Sequence, residues 1–249
     1  TINVIDEPRN EPWGPTFGDH ASYTDCINLL ERRNMLNSVP SSVQSHLKNG
    51  SQTDEMRTPQ PNDICRFHNQ TVVLARPQDV CEAAQDQGKL NGIDSFIISS
   101  IIEGESREVA TTLYGIANEI NKYNRPIESP CLLISGGETT VEISGTSGSG
   151  GPNQEFALSF ALEAINNPEL TMLSIGTDGT DGPTDAAGGL VDHSTVPRIE
   201  AAQMNPREGL SYHNSNEQLG KANDIIYTGS TGTNVMDLRL ILIDSAQDD

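Results

Sequence analysis

Between residues 71 and 176 the chain alternates short apolar, β-branched runs with longer stretches whose apolar residues recur every three or four positions. Such alternation buries its apolar faces when the strands join one sheet and the helices cover it. The pattern therefore predicts an α/β protein with largely parallel or mixed sheets and flanking helices. Predicted strands lie at 71–75, 93–99, 131–135, 139–144 and 170–176, and 225–228 and 238–244 close the chain. Predicted helices lie at 77–89, 105–123 and 152–166; in the second, Val109, Leu113, Ile116, Ile120 and Tyr123 share a face. Gly136 and Gly137 separate the strands on either side of them, and a long Asp- and Gly-rich loop follows residue 176. Upstream, residues 1–18 are irregular, broken by Pro8, Pro12, Gly14, Pro15 and Gly18. Asp19 is expected to cap a helix with Tyr23, Cys26, Ile27 and Leu30 on one face. A second helix runs from Pro40 towards Lys48 and stops at Gly50, and 51–70 reads as a polar loop.

Charge narrows the function. Fifteen basic residues stand against 35 acidic ones, a formal −20, which argues against ordinary nucleic-acid binding through clustered Lys and Arg. No apolar run approaches the ~20 residues needed to span a bilayer as a helix, and no signal peptide is visible. The missing initiating Met points to a processed product or a fragment, and a fragment is the expectation. Cys26, Cys65, Cys81 and Cys131 form no CxxC pair, which fits free thiols in a reducing compartment and a cytoplasmic location. His20, His46, His68, His193 and His213 show no metal-ligand spacing and read mostly as surface residues, as does Lys221.

Three loops have the composition of a phosphate or metal site. The loop 145–151 is Gly-rich and leads into a helix beginning at Pro152, so free N–H groups there can meet an anion. It carries neither the GK[ST] of a Walker loop nor the dinucleotide GxGxxG, which argues against a nicotinamide reductase. After the strand at 170–176, Asp178, Asp181 and Asp185 are placed to converge at a strand's carboxyl end, where carboxylates suit Mg²⁺ shared with substrate phosphates. Residues 228–237 are small, hydroxyl-bearing and Gly-rich, as a phosphate-cradling turn requires. Each segment taken singly reads equally well as a structural turn.

In order, however, SGGETT at 135–140, GGPNQEFAL at 150–158, GTDGTDGPTDAAGG at 176–189 and TGSTGTNVMDL at 228–238 resemble the MOFRL domain of class II glycerate 2-kinases. GPTFGD at 14–19, the helix at 21–33 and EGESREVA at 103–110 resemble the later part of that family's N-terminal Rossmann-like domain. The resemblance implies a partial Rossmann-like domain over 1–127 and a MOFRL domain over 128–249. It implies ATP-dependent phosphorylation of D-glycerate at its 2-hydroxyl, with Mg²⁺, in a cleft between the domains. Glu138, Asn153 and Glu155 become candidate catalytic residues. Gly136, Gly137, Gln154, Thr177, Thr231, Gly232, Thr233 and Asn234 become candidates for nucleotide binding, and Asp178 and Asp181 for Mg²⁺.

The chain departs from that pattern. Pro152 stands where the family usually has Arg, and Trp13 where SGPT has Ser. Pro offers neither the charge nor the donors with which an Arg clamps phosphate or carboxylate. The family's first half-domain lies outside this sequence, so the chain alone is expected not to turn over. A non-catalytic nucleotide- or phosphate-binding homologue, or a partner subunit, stays open beside the kinase, as does homo-oligomerisation.

Only four lysines, Lys48, Lys89, Lys122 and Lys221, stand beside eleven arginines, and the acids are spread along the whole length. A coat of this kind keeps a protein soluble where salt screens charge and repels itself where salt is low, so it reads as adaptation to a salty cytoplasm, with an ordinary acidic protein as the alternative. Halophilic adaptation predicts that the melting temperature rises by ~10 °C or more between low-salt buffer and molar KCl, as self-repulsion is screened. A differential scanning fluorimetry series that is flat across this range would refute it.

Overall fold

A computed structural model describes residues 1–7, 11–53, 56–67, 69–143, 145 and 147–245. Pro8 and His68, together with residue 144 of the expected strand 139–144 and residue 146 of the loop 145–151, lie outside the described residues. The chain divides into two compact units: Thr1–Asn3 with Pro12–Val72, and Val4–Glu11 with Val73–Asp249.

The first unit is small and carries α1 (Tyr23–Arg32), α2 (Ser41–Gly50) and a single helical turn, α3 (Pro61–Ile64). α1 is capped by Ser22, not Asp19. The Ser22 hydroxyl accepts the Asp25 N–H at 3.1 Å, and the Asp25 carboxylate accepts the Ser22 N–H at 2.8 Å. This reciprocal pair satisfies two of the end's orphan donors, while Asp19 accepts the Ala21 N–H in a local turn. α2 follows Pro40 and runs through Gly50, where any Cβ would fall 2.6 Å from the Tyr23 ring. The expected polar loop thus contains α3, whose four residues are too few to show a period.

The second unit is built on a six-stranded sheet in the order β3-β4-β8-β5-β6-β7. Its strands are β3 (Asp94–Glu105), β4 (Cys131–Thr140), β5 (Leu170–Gly176), β6 (Gly188–Asp192), β7 (Ile225–Ile226) and β8 (Asp237–Ile243). The sheet is mixed: β3 and β4 are parallel, and β8 enters antiparallel between β4 and β5. The β5–β6 and β6–β7 pairs are antiparallel too. Two further short strands, β1 (Ile2–Val4) and β2 (Val72–Ala75), form a separate two-stranded sheet.

α4 (Pro77–Leu90) covers β3 and β4 on one face, where Cys81 packs with Ile134 and Leu238. α5 (Ser106–Tyr123) and α6 (Pro152–Ala164) cover the other. α6 is apolar nearly all round, which marks a helix buried on every side. Phe156, Leu158, Phe160 and Ala161 are all fully buried in the main core, beside Leu113 and Ile120 of α5 and Met172 of β5. Three short helices, α7 (Thr195–Ala201), α8 (Pro206–Ser211) and α9 (Ser215–Ala222), complete the cover on α6. They fall in the span after 176 to which the sequence pattern assigns only a loop. Elements of six to eight residues offer too few turns for periodicity to register.

The two strands expected at 131–135 and 139–144 are one strand, because the glycines stay inside the ladder. Gly136 pairs with Leu238, and Gly137 with both Ile102 and Asp237. Gly137 has φ +122°, and a Cβ there would sit 2.2 Å from the Ile102 backbone. Gly137→Ala therefore combines a forbidden φ with a backbone clash, and is expected to cost ~3 kcal/mol or more in urea denaturation. A loss below ~1 kcal/mol would show that β3 yields at this point.

Candidate functional site

The carboxyl ends of β4 and β5, the start of β8 and the first turn of α6 meet at one end of the sheet. They surround a cleft of about 300 Å³ lined by Asp6, Glu138, Thr139, Pro152, Asn153, Gly176, Asp178, Thr180, Asp181, Gly182, Asn234, Met236 and Asp237. Of the expected site residues the structure brings Glu138, Asn153, Asp178, Asp181 and Asn234 together on this cleft. Asp185 is exposed and does not line it.

Asp181 is committed to the head of α6. Its Oδ1 accepts the Asn153 backbone N–H at 2.9 Å and the Asn153 side-chain amide at 3.2 Å. Its Oδ2 accepts the Gln154 backbone N–H and side-chain amide, each at 2.9 Å. A carboxylate at a helix N-terminus meets orphan N–H groups and the positive end of the dipole together. Burial pushes the Asp181 carboxyl above its ordinary value, against the opposing pull of these four bonds. Gln154 is fully satisfied as well: its amide also reaches Thr184 at 3.0 Å, and its oxygen accepts from Asn216 at 2.7 Å.

The Asn153 amide continues the network, donating to Asp237 Oδ1 at 2.8 Å while its oxygen accepts from Ser174 at 2.7 Å. Asp237 Oδ2 accepts from Arg239 Nη2 at 2.7 Å, and the same nitrogen donates to Thr139 Oγ1 at 2.9 Å. Burial raises the Asp237 carboxyl, and Arg239 opposes the rise. The expected site residues do not include this pair, whose signal in the sequence is a lone Arg inside an otherwise aliphatic run from Leu238 to Ile243.

Two loops are tied together beside the cleft. The Thr177 hydroxyl donates to the Met236 carbonyl at 2.6 Å and accepts the Val235 N–H at 2.9 Å. The Thr231 hydroxyl donates to the Thr177 carbonyl at 2.6 Å, and its N–H donates to the Asp178 carbonyl. Thr231, Gly232 and Thr233 are exposed at the tip of this arrangement, and the Asn234 side chain accepts the Met236 N–H at 2.9 Å. Gly136 and Gly137 are buried within β4 and do not line the cleft.

Glu155 points elsewhere. Its carboxylate meets Arg107 Nε at 2.5 Å and His213 Nδ1 at 3.1 Å, beside a second cavity of about 210 Å³. Arg107 also donates to the Leu210 carbonyl at 2.7 Å, so one half-buried ion pair ties α5 and α6 to the end of α8. His213, expected at the surface, is drawn in by this carboxylate.

Glu138 projects from β4 and is largely exposed. Partial burial raises its carboxyl, and the like charges of Asp6, Glu7 and Glu103 raise it further. Among the described residues no three His, Cys, Asp or Glu side chains are grouped to hold a metal unaided. The donor chemistry separates the two aspartates expected to take Mg²⁺. Each Asp181 oxygen already accepts two hydrogen bonds and has no lone pair left for a cation. Asp178 commits Oδ1 to the Thr180 N–H at 2.9 Å and fits a site completed by phosphate oxygens.

The MOFRL family model matches residues 131–237, the stretch that supplies every lining residue of this cleft except Asp6. A glycerate 2-kinase of Pyrococcus horikoshii is 37% identical over 232 residues, 93% of this chain and 52% of the relative. A glycerate kinase of Macaca fascicularis is 30% identical over 267 residues, 92% of this chain and 67% of the relative. The chain belongs to the glycerate 2-kinase family. A crystal structure of glycerate kinase from Thermotoga maritima matches with a TM-score of 0.77 at 32% identity, covering 97% of this chain and 56% of that one. The chain spans about half the length of the first curated relatives it matches. Glu138, Asn153, Asp178 and Asn234 reach the cleft from four separate segments of sequence.

Asp181→Ala would leave four buried or half-buried donors at the head of α6 without their acceptor. Each such donor costs ~1 kcal/mol or more, so a loss of ~3 kcal/mol or more is expected in urea denaturation without any ligand. A variant as stable as the parent would show that the α6 end finds other partners.

Proposed function

We propose that this chain supplies the nucleotide- and magnesium-handling wall of an ATP-dependent glycerate 2-kinase, which converts D-glycerate to 2-phosphoglycerate. The observation that carries the reading is the convergence of the Asp- and Gly-rich loop after β5, the segment leading into β8, the end of β4 and the first turn of α6 on one cleft, where Asn153, Asp181 and Asp237 are already locked by hydrogen bonds. Phosphoryl transfer asks a protein mainly for positioning and for charge neutralisation, and preorganised loops provide the first. In this reading the exposed turn of Thr231, Gly232, Thr233 and Asn234, with Thr177 beneath it, cradles the phosphates through backbone N–H and hydroxyl groups. Asp178 and the phosphate oxygens hold Mg²⁺, which neutralises phosphate charge when bound. Glu138, an acceptor whose proton affinity is raised by partial burial and further by its acidic neighbours, takes the proton of the glycerate 2-hydroxyl. Asn153 and Asp181 keep the α6 end in place behind them, and Glu155 acts on the opposite side of α6 as a structural ion-pair partner.

The module division at 1–127 and 128–249 belongs to the same proposal, as do homo-oligomerisation, a cytoplasmic location and adaptation to high salt. For the location, the supporting facts are that no described helix is long and apolar enough to cross a membrane, and that the chain is strongly acidic.

One observation favours a second reading, a nucleotide-binding relative without turnover. Pro152 lies on the cleft, and among its described lining residues there is no Lys, Arg or His. Mg·ATP is expected to raise the melting temperature of the full chain in proportion to the logarithm of ligand concentration. Asp178→Asn should remove the Mg²⁺-dependent part while leaving the ligand-free melting temperature within ~2 °C. Equal protection of parent and variant would dismiss Asp178 as a ligand. Protection with no 2-phosphoglycerate in a coupled assay, even when the family's first half-domain is supplied in trans to the Pro152→Arg variant, would select the second reading, and no protection at any concentration would reject both.

A further inference from the structure

The cleft wall has an unusual charge arrangement. Asp6, Glu138, Asp178, Asp181 and Asp237 line it, and the nearby cation is hidden behind the lining. Arg239 follows Asp237 by two residues on β8, so the two side chains share one face of the strand. Its guanidinium is wholly buried and stacks on the Phe156 ring, 4.8 Å from the centroid. Nη2 alone reaches the wall, contacting both Asp237 and Thr139. Nε and Nη1 have no hydrogen-bond partner among the described residues.

A guanidinium buried with three of its five N–H donors unanswered is an expensive way to fill a core. Apolar residues of similar volume commonly match or exceed a buried ion pair in stability. Packing therefore does not account for Arg239, whereas its two contacts account for it in another way. Both partners line the cleft, and Asp237 in turn holds the Asn153 amide. Ser106 donates to the same Thr139 hydroxyl at 3.0 Å, so the hydroxyl accepts from two sides and its own proton is turned away from both donors.

We propose that Arg239 is a positioning residue of the cleft, which holds Asp237 ionised and both Asp237 and Thr139 in the orientation that a bound nucleotide meets. The nucleotide part rests on the kinase reading, and the hold on Asp237 does not. The groups that bear on Asp237 are few. Arg239 and the Thr139 backbone N–H favour its charged form, as does the Asn153 amide from α6, while Asp181 opposes it from the loop after β5. Cys81 faces Arg239 from α4. Glu138, Asp178 and Asp6 add negative charge around the cleft.

The sign of the pH effect follows. Burial lifts the folded Asp237 carboxyl from 3.8 to about 6, and removing Arg239 takes away the main force opposing that rise. Near pH 4.5 Asp237 is then largely protonated in the parent and in Arg239→Met, so the variant differs mainly by packing. Above pH 7 the parent holds an ionised pair, whereas the variant must bury a lone carboxylate or keep it protonated at increasing cost. The deficit in melting temperature of Arg239→Met should therefore widen from pH 4.5 to pH 8. It should stay narrow in the double variant Arg239→Met with Asp237→Asn, which carries no charge to strand.

Both measurements use the full chain. The first is the melting temperature of parent, Arg239→Met, Arg239→Lys and the double variant from pH 4.5 to 8 without ligand. The second is the apparent Mg·ATP affinity of each at pH 7.5 by calorimetry, at a temperature where near-UV circular dichroism shows all of them folded. The expected result is a deficit that widens with pH only in Arg239→Met, and affinity lowered tenfold or more there. The conservative Arg239→Lys should recover part of that affinity, and the double variant should regain stability without regaining affinity. A deficit independent of pH would overturn the hold on Asp237. Parent-like affinity in Arg239→Met, or affinity that returns with stability in the double variant, would overturn positioning and leave Arg239 as core. If the parent itself fails to bind Mg·ATP, the kinase reading and the nucleotide part fall together, and the pH series alone decides the hold on Asp237.

Discussion

The cleft depends on one carboxylate at the head of one buried helix. α6 is apolar nearly all round and runs through the middle of the second unit, so its amino end opens where no aqueous partner can serve every orphan N–H group. Asp181 answers two of those backbone donors and both adjacent side-chain amides. The same four bonds set the loop after β5 against α6. Gly151 permits this approach, since a Cβ there would lie 2.4 Å from the Asp181 backbone. Asn153 then carries the constraint to Asp237 and Ser174. The wall of the cleft is thus made by satisfying a helix end, and its rigidity comes from that requirement.

Charge is divided between two tasks on the two sides of α6. On one side Arg107 neutralises Glu155, with His213 in hydrogen-bond contact, in a cluster joining three helices. On the other, carboxylates face the cleft and a single buried guanidinium stands behind them. Such an arrangement suits a ligand that arrives with its own cation, because repulsion among the acids is relieved when the cation binds. It suits a bare polyanion poorly. Pro152 strengthens this bias: it starts the helix without needing an N–H, and it adds no positive charge to the wall.

Much of the local structure was legible because local rules decide it. The five-turn face of α5, the buried run of β5 and the Pro-initiated starts of α4 and α6 each follow from periodicity or from a fixed backbone torsion. Ser22 displaced Asp19 as a cap because it had Asp25 three residues on to complete a reciprocal pair, a relation also written in the sequence. The short helices α7 to α9 and the turn α3 fell below the length at which a period can be counted.

By itself the sequence determined the class of fold, the position of most long elements, the Gly- and Asp-rich character of the cleft loops, and through their order the family. It could not say which polar residues were already spent. Asp178 and Asp181 are chemically alike and three residues apart, yet one lies open to the cleft and the other is saturated by a helix end. Gln154 and Glu155 are consecutive in the same motif and face different networks. Arg239 reads as a charge in a strand until β8 is placed between β4 and β5, where it becomes a buried partner of Thr139, a residue 100 positions away. The physical reason is common to all three. Propensity and periodicity act over a few residues, whereas the commitment of a lone pair or a donor is settled by what distant segments bring within 3 Å, and only the tertiary structure decides that.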